Sequence, residues 1–194
     1  MKRTVYGVGY FGKGKYVGSI GGRKTAAYRS WQSMFTRCYC PLSQIEKPTY
    51  LGCEVHPCWH NFQDFAEWYY NQDCCDMGYE LDKDIICKGN KIYSPDLCCL
   101  VPRELNALLT NNKASRGLYP IGVNFRKTTG RYEVRVCEHG TRNHVGMFDS
   151  IEDAFLAYKS AKERYIRSIA MKYVGVLPDA AFQSLMRMEI TYDD

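Results

Sequence analysis

Residues 119–165 read YPIGVNFRKTTGRYEVRVCEHGTRNHVGMFDSIEDAFLAYKSAKERY, and this stretch decides the fold of the C-terminal part. Three runs, Tyr119–Lys127, Arg131–Glu138 and Thr141–Phe148, are separated by Thr128-Thr129-Gly130 and His139-Gly140. Short glycine-containing breaks of this kind join the strands of hairpins. In the middle run Arg131, Glu133 and Arg135 share one face, and Tyr132, Val134 and Val136 share the other, because side chains alternate along a strand. In the first run Asn124 and Arg126 oppose Val123 and Phe125. Ser150 is placed to cap a following helix, on which Ile151, Ala154, Phe155, Ala157, Tyr158, Ala161 and Tyr165 recur at helical spacing. One face of the sheet is thus expected to rest on the helix, leaving arginines on the other. A narrow β-ribbon fits the DNA major groove, and arginine is the commonest reader of guanine edges.

Charge is segregated along the rest of the chain. Residues 1–45 hold eight Lys or Arg and no acid, 46–110 hold eleven acids against five bases, and 111–147 hold seven bases against two acids. Basic segments attract phosphates, and clustered carboxylates can hold a divalent metal. At 194 residues and 45% hydrophobic, the chain suits one or two domains with buried cores. It carries no apolar run of membrane-spanning length, and its N-terminus lacks the apolar stretch of a signal peptide. The ten cysteines are therefore read as reduced thiols of a cytoplasmic protein.

Residues 1–24 interleave seven glycines with Tyr6, Tyr10, Phe11 and Tyr16 and with Lys13, Lys15, Arg23 and Lys24. Gly7-Val8-Gly9-Tyr10-Phe11-Gly12 matches a dinucleotide fingerprint by letter, but no strand–helix unit of the required register follows it. A basic hairpin or arm lying along phosphates is expected instead, with Lys13, Lys15 and Arg23 as its contacts. Ala27–Cys38 reads as a helix with Tyr28, Trp31, Phe35 and Cys38 on one side, and Pro41–Tyr50 as a loop. Asn61 caps a second helix carrying Phe62, Phe65, Ala66, Trp68 and Tyr69. The polar run 111–117 reads as a linker, and a short helix through Phe182, Leu185 and Met186 ends the chain.

The pattern Gly122-Val123, Gly130-Arg131-Tyr132, Gly146-Met147-Phe148-Asp149, Ala154 and Ala157-Tyr158 resembles the plant ethylene-response-factor (APETALA-type) DNA-binding domain. That resemblance covers about a quarter of the chain. It implies a sheet that enters the major groove of double-stranded DNA, with Arg126, Arg131, Arg135 and Arg142 as readers beside Lys127. Tyr132 stands where that family usually has tryptophan.

In the middle, Glu80–Ile86, a loop through Gly89-Asn90, Ile92–Pro95 and the helix Arg103–Thr110 outline a ββα-metal nuclease site with carboxylates on its first strand. In such chemistry a metal neutralises the scissile phosphate while a base activates water. With Trp31-Gln32-Ser33-Met34, Arg37-Cys38-Tyr39 and the aromatic run from Trp59 to Trp68, residues 28–106 resemble the HNH (His-Me finger) homing endonucleases of bacteriophages. That resemblance implies a Mg or Mn site on Asp82 and Asp84, with Asp82, Lys83 and Asn90 as catalytic positions. Lys83 occupies the slot of the signature histidine, and Leu97 or Asp96 falls near that of the helix asparagine. An ammonium has no lone pair with which to take a proton, so a structural ion pair competes with catalysis at Lys83. Cys38, Cys40, Cys53 and Cys58, with His56 or His60, are the alternative structural zinc set, without the usual Cys-x₂-Cys spacing.

The expected architecture is α+β: a basic Gly/Tyr-rich arm (1–27), an HNH-like ββα-metal module (28–110), a linker (111–118), a three-stranded antiparallel sheet packed on one helix (119–175) and a C-terminal extension (176–194). The expected function is a phage-type homing or nicking endonuclease. The alternative on the same scaffold is a non-cleaving DNA-binding regulator, or an inhibitor that binds a protein of a host defence complex.

Overall fold

A computed structural model of the chain describes residues 4–75, 77–109 and 118–192. Among them it is a mixed α+β protein with six α-helices and several small sheets. The chain divides into two compact units, residues 1–106 with 175–181 and residues 107–174 with 182–194. The expected linker lies outside the described residues except for Leu118, which is exposed.

The first unit opens on two small hairpins, β1 (Thr4–Val5) with β2 (Gly9–Tyr10) and β3 (Ser19–Ile20) with β4 (Arg23–Lys24). Residues 4–24 form the expected hairpins, and hydrogen bonds and ring contacts tie them to the helices that follow. Tyr10 N–H donates to the His60 carbonyl at 2.8 Å, and Gln63 Nε2 donates to the Tyr16 carbonyl at 2.9 Å. Phe11 stacks on Phe62 at 4.9 Å. Gly9 packs so closely on Trp31 and Phe35 that a Cβ there would meet their rings at 2.8–2.9 Å. The first hairpin thus packs on the core through Val5, Val8 and Gly9, and Tyr16 joins them, while the strands of the second hairpin stay exposed.

Helix α1 (Ala26–Tyr39) is capped by Thr25, whose hydroxyl accepts from Tyr28 N–H, and it buries Ala27, Trp31, Met34, Phe35 and Cys38. The expected loop at 41–50 instead holds α2 (Pro41–Glu46) and a 3₁₀ turn at Pro48–Tyr50. Proline at the first position of each suits a helix start, where the missing N–H costs nothing. Strand β5 (Glu54–Val55) leads to α3 (Phe62–Tyr70), capped by Asn61 as expected. Trp31 Nε1 donates to the Trp59 carbonyl at 2.8 Å, so the polar edge of a fully buried indole is satisfied.

Next come β6 (Glu80–Asp82), β7 (Ile92–Tyr93), β8 (Cys99–Val101) and α4 (Arg103–Leu109). The strand expected over Glu80–Ile86 stops at Asp82, where the Asp82 side chain captures the next backbone N–H groups. Its antiparallel partner is β8, with Leu81 opposite Leu100. The expected second strand, β7, pairs in parallel with β5.

The second unit is built on β9 (Val123–Arg126), β10 (Arg131–Glu138), β11 (Thr141–Phe148) and α5 (Ile151–Lys172), with β10 central and all pairs antiparallel. The first strand begins at Val123 rather than Tyr119. Gly122, at φ +74°, turns the chain where a Cβ would fall 2.1 Å from the Tyr158 ring, so only glycine fits. His139 and Gly140, at φ 49° and 78°, form the tight turn whose left-handed residues match the twist of a hairpin. Val123, Val134, Val136, Ala154 and Tyr158 make the core between sheet and helix. Ser150 caps α5 by accepting from Asp153 N–H. The pairing shifts by one residue in β11: Val134 faces Gly146 but Arg135 faces His144, leaving Val145 as a bulge. The short C-terminal helix is α6 (Asp179–Met186), with Ala181 and Leu185 buried.

Candidate nucleic-acid interface

Alternation along β9–β11 puts Asn124, Arg126, Arg131, Glu133, Arg135, Arg142, His144 and Met147 on the face away from α5. Register makes them neighbours: Arg131 faces Arg126, Glu133 faces Asn124 and Met147, and Arg135 faces His144. Glu133 is the organiser. Its carboxylate, only 8% exposed, takes Arg126 Nε at 2.7 Å and Arg135 Nη2 at 2.9 Å, on different oxygens. Burial alone would raise its pKa, but the hydrogen bonds from Arg135 and Arg126 outweigh it and hold the carboxyl below its ordinary range. Arg131 pairs with Asp149 at 2.7 Å and also donates to the Met147 carbonyl at 3.0 Å. Arg142 and Lys127 form no ion pair among the described residues and stand exposed.

The four arginines expected as readers are therefore brought to one face, three of them held by acids. Two partly exposed guanidiniums locked side by side by one buried carboxylate have lost much of their rotamer freedom before any ligand arrives. Glu133 was placed on this face by alternation in the sequence. Its role as a clamp was not, since it depends on which rotamers the arginines adopt.

The central loop is arranged differently. Lys83 is buried, and its Nζ donates to Asp84 Oδ1 and Oδ2 at 2.7 and 2.8 Å and to the Asn90 carbonyl at 2.6 Å. These three acceptors match the three N–H bonds of an ammonium. Asn90 Nδ2 donates to the carbonyls of Lys83 and Ile92, and its Oδ1 accepts from Ile92 N–H, so both its functional atoms tie the loop shut. Asp82 Oδ1 accepts from Asp84 and Ile85 N–H at 2.8 and 2.7 Å. Burial raises the Asp82 pKa, and those two N–H groups only partly oppose it.

A divalent ion on Asp82 and Asp84 fits this arrangement poorly. Both Asp84 oxygens already face an ammonium, which leaves Asp82 Oδ2 as the one oxygen of the pair without a hydrogen bond among the described residues. Among the described residues no three His, Cys, Asp or Glu side chains gather as a metal set. The cysteines of the alternative zinc set are dispersed in role: Cys38 and Cys53 are buried, with burial pushing the Cys38 thiol up to about 12, while exposed Cys58 lies 2.9 Å from His56 Nδ1.

Of the N-terminal bases, Lys15 pairs with Glu67 at 3.1 Å, whereas Lys13 and Arg23 have no ion-pair partner among the described residues. No helix among those residues is long and apolar enough to cross a membrane. No family model, curated protein or solved structure matches the chain.

Proposed function

We propose that the chain binds double-stranded DNA through the arginine face of β9–β11, and that its central module, similar in outline to the HNH fold, serves as a scaffold rather than as a cutting site. The observation that carries this reading is the pair of guanidiniums held by Glu133 on a sheet face otherwise rich in Arg and His. A ribbon of this width fits the major groove, and a pre-set arginine fork presents the two donors that guanine O6 and N7 require. The braced loop supports the second half of the reading, because Lys83 and Asn90 spend their functional groups on each other's backbone.

Selection of duplexes from a random library by the full chain, followed by titration of Arg126→Ala, Arg131→Ala, Arg135→Ala and Arg142→Ala, tests it. A selected sequence, with each loss costing about 1–3 kcal/mol at its own base pair, supports direct readout. Equal binding of all sequences, unchanged when all four arginines are replaced, overturns it and shifts the assignment towards a protein partner.

A metal-dependent phage-type endonuclease is the second reading. Asp82 favours it, being a desolvated carboxylate with one oxygen uncommitted among the described residues. Plasmid DNA incubated with Mg²⁺ or Mn²⁺, with and without EDTA, separates the two. The scaffold reading expects no EDTA-sensitive nicking; nicking abolished by Asp82→Ala would establish the enzyme instead.

A further inference from the structure

One polar sector of α1 has no part in the readings above. Positions 26, 29, 30, 33 and 37 lie within about 100° of one another on a helical wheel, opposite the buried stripe of Trp31, Phe35 and Cys38. They carry Ala26, Arg29, Ser30, Ser33 and Arg37, and they form one wall of an open cleft of about 280 Å³. Tyr69 and the segment Gly78–Leu81 form the other.

The cleft is positive. Neither Arg29 nor Arg37 forms an ion pair among the described residues. Arg37, half buried, makes one long hydrogen bond to the Tyr93 hydroxyl at 3.5 Å and lies over the Tyr50 ring at 5.5 Å. Most of its five N–H donors are therefore unspent. The one acid on the walls, Glu80, acts on Arg37 through its charge without pairing with it among the described residues; its Oε2 accepts from Asn106 Nδ2 at 2.5 Å, and its Oε1 lies 3.9 Å from the exposed Arg103. The Ser30 and Ser33 hydroxyls lie between the two arginines along the helix.

We propose that this cleft holds a phosphodiester group of the DNA backbone, clasped between Arg29 and Arg37 with the serine hydroxyls as further donors. Planar guanidinium forks match phosphate oxygens, and a half-buried arginine without a carboxylate partner is satisfied by one. The cleft is smaller than ordinary small-molecule sites and open on one side. That shape suits a group presented by a strand passing over it. The inference rests on the DNA-binding reading and extends it: the sheet selects sequence, while α1 fixes the strand without regard to base.

The test uses the full chain with Arg29→Ala, Arg37→Lys (which keeps the charge and loses the fork) and Arg29→Ala/Arg37→Gln. Binding to random-sequence duplex is measured across salt. Arg29→Ala should lower the salt slope by about 0.9, or about eightfold in affinity at 0.1 M salt, and the double variant by about twice that slope, equally for all sequences, whereas Arg37→Lys should weaken binding with the slope unchanged. Wild-type affinity and slope in all three variants overturn the cleft while leaving the sheet reading intact. In parallel, the side-chain Nε–H signals of ¹⁵N-arginine-labelled protein are followed during titration with the dinucleotide TpT and with thymidine 5′-monophosphate. Saturable shifts at Arg29 and Arg37 with TpT are expected whether or not the sheet binds duplex DNA. Absence of shifts with TpT overturns the proposal, as does a response to the monophosphate alone, which would mark a terminal-phosphate site.

Discussion

Arg126 donates through Nε to the Glu133 carboxylate at 2.7 Å, which makes a buried acid the organiser of a basic surface. Glu133→Gln therefore sets two effects against each other. Removing a negative charge should raise affinity for random DNA, while freeing Arg126 and Arg135 should lower discrimination among sequences. The expected outcome is a falling ratio of specific to non-specific affinity, read by competition titration at fixed salt. A variant that gains on both would show that Glu133 only neutralises charge. The depressed carboxyl also has a signature in pH: its contribution to stability is present above the ordinary carboxylate range and is lost as pH falls through the lowered folded value. Acid unfolding of Glu133→Gln should lack that component.

At the central loop, Lys83→Met keeps the length of the side chain and removes its charge. Asp84 is half exposed and can turn to water, so the cost should be about 1–3 kcal/mol, mostly from the Asn90 carbonyl left without its donor. Asp84→Ala should cost more, about 3 kcal/mol, because it strands a buried ammonium. Urea denaturation of the two variants gives the order; the reverse order would mean that Lys83 reaches water when unpaired.

Asp82→Asn separates capping from charge. An asparagine Oδ1 can still accept from Asp84 and Ile85 N–H. Since burial raises the folded pKa of Asp82, its ionisation costs stability as pH rises from the ordinary carboxylate value through the raised one. The variant should match wild type at low pH and exceed it above that window, in urea titrations from pH 3 to 8. A variant whose disadvantage grows with pH would contradict the assignment of burial as the dominant influence.

Gly122→Ala should destabilise the sheet by about 3 kcal/mol, combining a left-handed backbone with a Cβ driven into the Tyr158 ring. Amide hydrogen exchange of β9–β11 in the full chain reports this directly. Protection equal to wild type would mean that Tyr158 moves aside freely.

The three strands, their arginine face and the capped helix were legible because each rests on local alternation and on turn residues adjacent in sequence. Gly130, His139-Gly140 and Ser150 sit where their types predict. The pairing of β7 with β5 was not legible, since Tyr93 and Val55 meet across 38 residues of chain and no local pattern records it. Nor was the loop at Lys83. A lysine beside two aspartates reads equally as catalytic, solvated or buried, and only the position of the Asn90 carbonyl decides. The N-terminal glycines read as turn residues, whereas the packing of Gly9 on Trp31 and Phe35 and of Phe11 on Phe62 places the first hairpin. Arg29 and Arg37 were in plain view on a helix, but the wall facing them comes from Tyr69 and Gly78–Leu81, far along the chain.

Val145 has a consequence for how this domain can vary. On its turn side, residues count their faces outward from His139-Gly140; on its other side, Met147 and Phe148 count theirs from the hydrophobic core. The extra residue acts as a spatial frameshift that lets both counts be correct, so Arg142 and His144 look outward while Phe148 packs inward. Removing Val145 would make Arg135–His144 and Val134–Gly146 consecutive pairs of a regular ladder, with Arg142 and His144 still outward and Phe148 still inward. The bulge is therefore the place in β11 that can absorb a single-residue deletion, whereas losing a paired residue on either side turns over the side chains between that residue and the bulge.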